Sequence, residues 1–434
     1  MSHIAVIGGA SASFTVHLMS DLVRARDLFG SRIVLMDINR KGLEVVGKVA
    51  RMMCKAAGAG FEIETTTDRR LALKGADFVV TTVAVGTDRA WQLDVEIPLK
   101  FGIVQTVGDT VGPGGIMRAQ RVIPLLLDVA HDVEKLAPRA WIINFSNPMS
   151  ANCFALANHS RVPVVGLCHG LIGTTYTLAD ALKVPFEECR ALANGINHFT
   201  WIYDFRRRGK SLLRRLDRAV RSGVFRKPSL RGGFVSTALY ETFGRYPSPG
   251  DRHVSEFLPH FLGRDGKGGW RFGLKPFDIK ECLRGRRQHW QRLQALAAGR
   301  VPIEETLHGS SESAIDVMVA RVTDAQKFFI AVNVRNQGCV PNLPDDAVVE
   351  VPGVVGADGV RGIQTPPLPD GVAALANLHV TVQRLSARAA LAGDRQLLAQ
   401  AMVTDPLVRD FKIVEPMMER MLKTFRRHLP QYWT

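Results

Sequence analysis

The stretch HIAVIGGASASFT, residues 3–15, joins an apolar run to a glycine turn and then to a segment with helical spacing. A strand, a tight turn and a helix in this order direct backbone N–H groups and the positive end of the helix dipole to one place, which suits a pyrophosphate. The turn contains Gly8 and Gly9, but Ala10 and Ser13 stand where the full G-x-G-x-x-G fingerprint has glycines. The stretch therefore predicts a dinucleotide-binding turn with an imperfect fingerprint.

The second apolar run, RIVLMDIN (32–39), carries Asp37 near its end. A carboxylate at this place binds ribose hydroxyls and repels a 2′-phosphate, which favours NAD over NADP. The alternative is that Asp37 caps the helix that follows. The predicted cofactor contacts are Gly8, Gly9, Ala10, Ser11, Phe14, Asp37, Asn39, Val85 and Asn144.

Three more apolar runs, at 77–83, 140–146 and 162–168, alternate with helical patterns at 42–57 and 119–137. Such runs are typical of strands buried on both faces of a parallel sheet. The fold class predicted is therefore α/β, a Rossmann-like doubly wound parallel sheet with a second α+β domain, similar to lactate and malate dehydrogenases. We expect an NAD-binding domain over 1–195 and a substrate-binding and oligomerisation domain over 196–434, the latter with helices at 311–331, 371–394 and 395–426.

The composition narrows the function class. The net charge is +15, but the basic residues are dispersed, so a solvated basic surface is favoured over nucleic-acid binding; attraction of an anionic substrate is a third explanation. No run reaches the roughly 18 apolar residues of a membrane span, and a strand that starts at residue 3 leaves no room for a signal peptide. Six cysteines without paired spacing indicate free thiols in a reducing compartment. We expect a cytoplasmic protein with no nucleic-acid or membrane partner.

Two later stretches, GLCHG (166–170) and GINHFTW (195–201), each place a metal-binding side chain at the end of an apolar segment. The thiolate of Cys168 and the imidazole of His198 suit a divalent transition ion such as Mn, Zn or Co. Two protein ligands leave positions open for water or substrate, as a catalytic metal requires. The alternative for Cys168 is an inert buried thiol. Up to this point a 2-hydroxy-acid dehydrogenase is the leading rival function.

These stretches, together with QTVGDTVGPGGIMRAQRVIP (105–124), NFSNPMS (144–150), GDRHVSEFLPHF (250–261) and AVNVRNQGCVPNLPDDAVVEVP (331–352), resemble the NAD-dependent glycoside hydrolases of family 4 and closely similar NAD-dependent glycosidases. The resemblance extends over most of the chain in the same order. It implies an exception to the two-carboxylate mechanism of other glycosidases. In the implied reaction, bound NAD oxidises the sugar at C3, a base removes the C2 proton, the aglycone leaves from C1, water adds, and the hydride returns.

The resemblance also implies roles for individual residues. Cys168 and His198 match the metal ligands, the metal being Mn in the first place, and Asn147 matches a sugar contact. Asp109 matches a general acid near the departing oxygen. Asp251 matches the C2 base, a place that many members fill with a tyrosine, here Tyr240 or its neighbour Tyr246. Without the resemblance, a turn-forming role is favoured for both Asp109 and Asp251, since each lies beside glycine.

His169, after the metal cysteine, departs from members that act on 6-phosphosugars and resembles members that cleave unphosphorylated α-glycosides, among them uronides. The predicted substrate is therefore an acidic α-glycoside, uronate or sulfonated, with a neutral α-glucoside or α-galactoside as the alternative. The predicted substrate contacts are Asn147, His169, Arg89, Arg118, Arg252 and His253. A homodimer or homotetramer is implied as well. The alternatives from other classes are a 2-hydroxy-acid dehydrogenase and a non-catalytic dinucleotide-binding protein.

Overall fold

The computed structural model describes residues 1–226, 233–310 and 313–433. In this part of the chain, thirteen strands belong to one mixed sheet. The strands are β1 (His3–Ile7), β2 (Arg32–Met36), β3 (Glu62–Thr66), β4 (Phe78–Thr81), β5 (Trp141–Asn144), β6 (Val164–Gly166), β7 (Cys189–Ile196), β8 (Phe199–Arg207), β9 (Lys210–Ser211), β10 (Tyr246–Ser248), β11 (Lys327–Arg335), β12 (Val348–Gly356) and β13 (Gly359–Gly362).

The α-helices of the described residues cover both faces of this sheet and extend beyond it. They are α1 (Phe14–Leu22), α2 (Arg40–Ala57), α3 (Arg69–Leu73), α4 (Thr87–Leu99), α5 (Gly112–Leu136), α6 (Met149–His159), α7 (Gly170–Ala181), α8 (Leu213–Arg221), α9 (Phe234–Phe243), α10 (Asp251–Val254), α11 (Ile279–Ala297), α12 (Ser313–Thr323), α13 (Asp370–Ala392), α14 (Arg395–Thr404) and α15 (Val414–Thr424).

Six parallel strands form the first half of the sheet, in the order β6-β5-β4-β1-β2-β3. The central strand β1 pairs in parallel with β2 and β4, with Val6 opposite Leu35 on one side and Val80 on the other. This is the strand order of the doubly wound dinucleotide-binding fold, so the predicted fold class is confirmed. Ile4 and Val6 pack into the core on one face, and Ala5 and Ile7 pack into the core on the other.

The sheet continues into the second half of the chain through antiparallel strands. β11 joins β6 where Asn333 pairs with Gly166, and β12, β7, β8 and β10 follow outward. β7 crosses the boundary expected at residue 195, which stays a prediction. Within the described ranges, no helix has both the length and the apolar character that a bilayer crossing requires.

Three secondary-structure predictions need correction. The helix expected over 311–331 ends at Thr323, and β11 begins at Lys327, because KFFIAVNVR is a β-branched and aromatic run that pairs with β12. The helix expected over 395–426 is two helices, α14 and α15, because Pro406 follows the first and cannot continue it. β3 was missed, because its sequence EIETT buries only Ile63 at the sheet edge.

The carboxyl ends of the parallel strands bring together residues that are distant in sequence. Gly8 follows β1, Asp37 follows β2, Asn147 follows β5 and Cys168 follows β6. In open α/β sheets, ligands bind in the crevice at this edge. The predicted cofactor turn and the predicted metal ligand therefore lie at the same edge of the sheet.

Candidate active site

The turn after β1 runs so close to its neighbours that it requires glycine. Gly8 has a φ of +96°, and a Cβ there would lie 2.3 Å from the carbonyl oxygen of Thr82. A Cβ on Gly9 would lie 3.0 Å from that of Leu35. A side chain at Gly8 would therefore clash with the backbone after β4, whatever its rotamer. This close packing of turn and strands is what a pyrophosphate-binding loop needs.

Asp37 holds the turn and does not cap α2. Its carboxylate accepts hydrogen bonds from the Ala10 N–H (3.1 Å) and the Asn39 N–H (2.9 Å). The cap is Asn39, whose side-chain oxygen accepts from the Gly42 N–H at 3.0 Å. The alternative that Asp37 is the helix N-cap is therefore wrong. Asp37 is half-buried at the sheet edge, where a carboxylate oxygen can also accept a ribose hydroxyl.

The Ala10 methyl group is accommodated by a glycine in α2. A Cβ on Gly42 would lie only 2.8 Å from the Ala10 Cβ. Gly42 therefore leaves room for the methyl group that replaces the fingerprint glycine. The loop's other predicted contacts are Ser11, which accepts from the Phe14 N–H at 3.2 Å, and Phe14, whose ring centroid lies 4.8 Å from that of Phe145.

Two predicted cofactor residues already have partners within the protein. Asn144 is fully buried, and its side-chain oxygen accepts from the Thr81 hydroxyl at 2.9 Å, which ties β5 to β4. The carbonyl oxygen of Val85 accepts from Arg121 Nε at 3.4 Å. Asn144 therefore stabilises the pairing of β5 with β4 at the sheet edge.

Asp109, His198 and His253 form a cluster at this end of the molecule. One ligand atom from each lies within 4.8 Å of the other two, and Asp109 and His198 are buried. The ring centroids of the two histidines are 4.3 Å apart. One oxygen and two nitrogen donors at this spacing suit a divalent transition ion such as Mn, Zn or Co. The sequence had predicted these residues as acid, ligand and sugar contact, without placing them together.

The charges around Asp109 favour its ionised form. The carboxylate accepts from the Thr110 hydroxyl (2.7 Å) and from Asn147 Nδ2 (3.0 Å). Burial opposes ionisation, but nearby positive charge, with Arg118 foremost, and the Thr110 hydrogen bond outweigh it and lower the pKa of Asp109. Burial also lowers the pKa of His253 to about 3. His253 is therefore neutral at pH 7, the form that binds metals, and the cation beside Asp109 is Arg118.

His198 is held in position by its own backbone and by Thr110. It lies in the turn between β7 and β8 with a φ of +62°, a conformation that is uncommon for a residue with a Cβ. Its Nδ1 lies 2.9 Å from the Thr110 hydroxyl. The second ring nitrogen, Nε2, is thereby left for a ligand, as in many metal-binding histidines.

Cys168 lies beside this cluster but is not one of its three members. Its thiol is within hydrogen-bonding reach of Asn197, the residue before His198, and burial raises its pKa to about 12. Behind it, Glu350 Oε2 accepts from Asn197 Nδ2 (2.7 Å) and Asn333 Nδ2 (3.0 Å). The thiol is protonated at neutral pH and can bind a cation only as the cation displaces its proton.

Asp251 and Tyr240 are both occupied by other protein groups. Asp251 is buried and accepts four hydrogen bonds of 2.7–2.9 Å, from the N–H groups of Gly233, Val235 and Ser236 and from the Ser236 hydroxyl. It anchors the first turn of α9. Tyr240 points its hydroxyl at Asp217 on α8, at 3.5 Å. Neither side chain is in the cluster of Asp109 and the histidines.

The three predicted arginines have different surroundings. Arg118 is half-buried and donates from Nε to the Asn147 carbonyl oxygen at 3.2 Å, next to Asp109. Arg252 is exposed, precedes His253, and donates to the Thr106 carbonyl oxygen at 2.5 Å. Arg89 is exposed on α4 and donates to Gln92 one turn away. His169 is the exposed residue before α7, with its ring 6.4 Å from that of Phe145.

Two family models match most of this chain. The model of the family 4 glycosyl hydrolases matches residues 3–184, and the model of their C-terminal domain matches residues 193–408. This chain belongs to glycosyl hydrolase family 4. The predicted glycoside hydrolase is thereby confirmed, and the dehydrogenase and the non-catalytic binding protein lose their support.

Relatives within family 4 align over nearly the whole chain. An α-galactosidase of Rhizobium meliloti is 32% identical over 99% of this chain and 89% of its own length. An α-galacturonidase of Bacillus subtilis is 32% identical over 97% and 96%, respectively. A 6-phospho-α-glucosidase from gut microorganisms, solved in complex with NAD and Mn²⁺, is 22% identical and covers 99% of both chains with a TM-score of 0.83. That likeness establishes the shared fold of the family.

Two buried carboxylates near the cluster, Glu256 and Glu350, were not among the residues predicted from the sequence. Glu256 is buried under the Asp109 loop and accepts from the N–H groups of Val107 (2.8 Å) and Gly108 (2.9 Å). Glu350 supports Asn197 as described above. In the sequence both carboxylates are flanked by apolar residues, in SEFL and VVEVP. A charged residue within an apolar run could have indicated them, because a buried charge needs a partner.

Proposed function

We propose that this family 4 enzyme is an α-glycosidase that depends on NAD and a divalent metal, with Mn first, and cleaves an unphosphorylated, acidic α-glycoside. The observation that carries the proposal is the cluster of Asp109, His198 and His253, with Asn147 and Arg118 beside it, at the sheet edge that also holds the Gly8 turn. A cytoplasmic location and a homodimer or homotetramer remain predictions from the sequence.

The choice of an acidic substrate is supported from two sides. The Bacillus subtilis α-galacturonidase aligns over nearly the whole chain, and the α-galactosidase relative keeps the neutral sugar as the alternative. The site itself carries guanidinium groups, Arg118 beside Asn147 and Arg252 beside His253. A guanidinium binds a planar carboxylate with two parallel hydrogen bonds, which a neutral hydroxymethyl group cannot accept.

When bound, NAD would supply reversible hydride transfer, and the divalent ion would supply a Lewis acid that polarises sugar hydroxyl groups. The protein's own residues prepare this chemistry. Asp109 and the two histidines would hold the ion, with Cys168 as a further ligand once its proton is displaced. Asn147 ties Asp109 to the strand end, and Arg118 keeps the carboxylate ionised. Because Asp109 is ionised, it must gain a proton before it can donate one to a leaving group.

We propose an anchoring role for Asp251. All four of its hydrogen bonds are made to the first turn of α9, so its carboxylate already has partners that a proton would displace. The same four contacts place α10 and therefore His253, two residues further along the chain. Tyr240, whose hydroxyl lies 3.5 Å from Asp217 Oδ1, stays the other predicted base.

A panel of 4-nitrophenyl α-glycosides tests the proposal. The enzyme is supplied with NAD, MnCl₂ and a thiol reductant, and the sugars are galacturonate, glucuronate, sulfoquinovose, galactose and glucose. We expect release of 4-nitrophenol from the acidic sugars, with many turnovers per NAD and no build-up of NADH. In D₂O the released sugar should carry deuterium at C2. No release from any sugar, or NADH formed in step with product, would contradict the proposed function.

A further inference from the structure

A stacked aromatic pair lies against the loop that leads into Asp109. The rings of Trp91 and Phe277 are 4.1 Å apart and inclined by 19°. Trp91 Nε1 donates to the Val107 carbonyl oxygen at 2.7 Å, and the Phe277 N–H donates to the Gln105 carbonyl oxygen at 2.9 Å. The stack is therefore fixed to the segment just before Asp109 and forms a rigid wall there.

Three guanidinium groups surround this wall. Arg118 and Arg286 lie 5.6 and 5.8 Å from the centre of the Trp91 ring, and Arg252 lies 5.8 Å from that of Phe277. An aromatic face attracts a cation, but three cations on one small surface also repel each other. The three guanidinium groups can lie this close together where anions neutralise their charges.

Counting the anions leaves one of the three unmatched. Arg286 forms an ion pair with Asp88, and Arg118 has the Asp109 carboxylate beside it. Arg252 forms no ion pair with any residue in the described part of the chain, and its one side-chain hydrogen bond, from Nη2, goes to the Thr106 carbonyl oxygen. Its Nε and Nη1 donors are directed to no protein acceptor among these residues. Arg252 is also exposed and adjacent to His253, so a bound ligand can reach it.

We propose that Arg252 is the carboxylate receptor of the sugar site, with the Trp91–Phe277 pair as its apolar wall. The inference rests on the proposed glycosidase function and assigns its acidic specificity to one residue. The carboxylate of an α-uronide would take the two free donors and neutralise the unmatched charge. A neutral sugar would leave the positive charge of Arg252 without an anion, so it should bind less tightly to the same site.

The test compares R252Q with R264Q, a matched control on an exposed arginine outside the site. Arg264 likewise donates one side-chain hydrogen bond to a carbonyl oxygen, that of Gly268, and lies over one aromatic ring, that of Trp270. The kcat/KM of each variant is measured with 4-nitrophenyl α-galacturonide and α-galactoside, with NAD and Mn²⁺ present. In R252Q we expect the uronide-to-galactoside ratio to fall roughly 10- to 100-fold, the range for a charged hydrogen bond. R252K, which keeps the charge without the fork, should fall between wild type and R252Q. R264Q should keep the wild-type ratio.

The outcomes separate this inference from the function on which it rests. An equal loss on both substrates, or an unchanged ratio in R252Q, would overturn the assignment of Arg252 while leaving the glycosidase intact. Wild-type enzyme that cleaves the galactoside and not the uronide would overturn the acidic substrate class. Wild-type enzyme that cleaves neither would overturn both proposals together.

Discussion

Replacement of Asp251 separates anchoring from proton transfer. The carboxylate accepts four hydrogen bonds, and two of the donor residues, Val235 and Ser236, are almost fully buried and cannot turn to water. An unsatisfied buried donor costs ~1–3 kcal/mol. We therefore expect D251A to lower the free energy of unfolding by about 3–5 kcal/mol. D251N keeps one acceptor oxygen and should lose about 2 kcal/mol.

The assay combines stability with isotope exchange. Urea unfolding followed by tryptophan fluorescence gives the free energy of unfolding, and turnover in D₂O gives the rate at which the sugar gains deuterium at C2. An anchoring residue predicts a destabilised D251N that still exchanges C2, with kcat recovering at lower temperature. A D251N as stable as wild type, with kcat reduced more than roughly 1000-fold and exchange abolished, would show that Asp251 is the base and refute the anchoring argument.

Three further predictions follow from the same geometry. G8A, which brings a Cβ within 2.3 Å of the Thr82 carbonyl oxygen, should weaken NAD binding at least ~10-fold in a fluorescence titration, while an unchanged Kd would contradict the close packing of the turn. T110V removes the partner of His198 Nδ1 and should weaken Mn²⁺ binding roughly 10- to 100-fold in calorimetry, with equal affinity as the opposing result. Burial raises the pKa of Glu256 to about 8, above its unfolded value, so its contribution to stability is complete below pH ~4.5 and is lost as the pH rises through 8. In E256Q the free energy of unfolding, measured with urea at several pH values, should fall less as the pH rises. The same pH dependence in E256Q and wild type would contradict this prediction.

Local sequence patterns predicted the parallel half of the fold because each strand there is buried on both faces. The apolar runs around β1, β2, β4, β5 and β6 needed no knowledge of their neighbours. β3 and β11 were not predicted, because whether these segments form strands depends on which strand lies beside them. An edge strand needs one apolar face only, and β11 becomes a strand by pairing with β12, which follows after the loop of residues 336–347.

The site was predictable as a set of residue types, and its arrangement was not. The sequence indicated Asp109, His198 and His253 separately, each from its own stretch. Their spacing in the sequence did not show that their ligand atoms lie close together. The same holds for Asp251, whose Gly-Asp sequence suits a turn, a base or an anchor equally well until its four donors are seen.

Short-range chemistry was enough to indicate a strand, a glycine turn and an acidic ribose contact, since these depend on neighbours within a few tens of residues. Which arginine lacks an anion, and which carboxylate keeps its charge, depended on contacts between distant segments, as with Arg252 over Phe277 and Arg118 beside Asp109. The physical reason is that charge balance and burial are properties of the folded surroundings. The residue type sets which donors and charges a side chain has, but the groups that it meets are determined only when the chain folds.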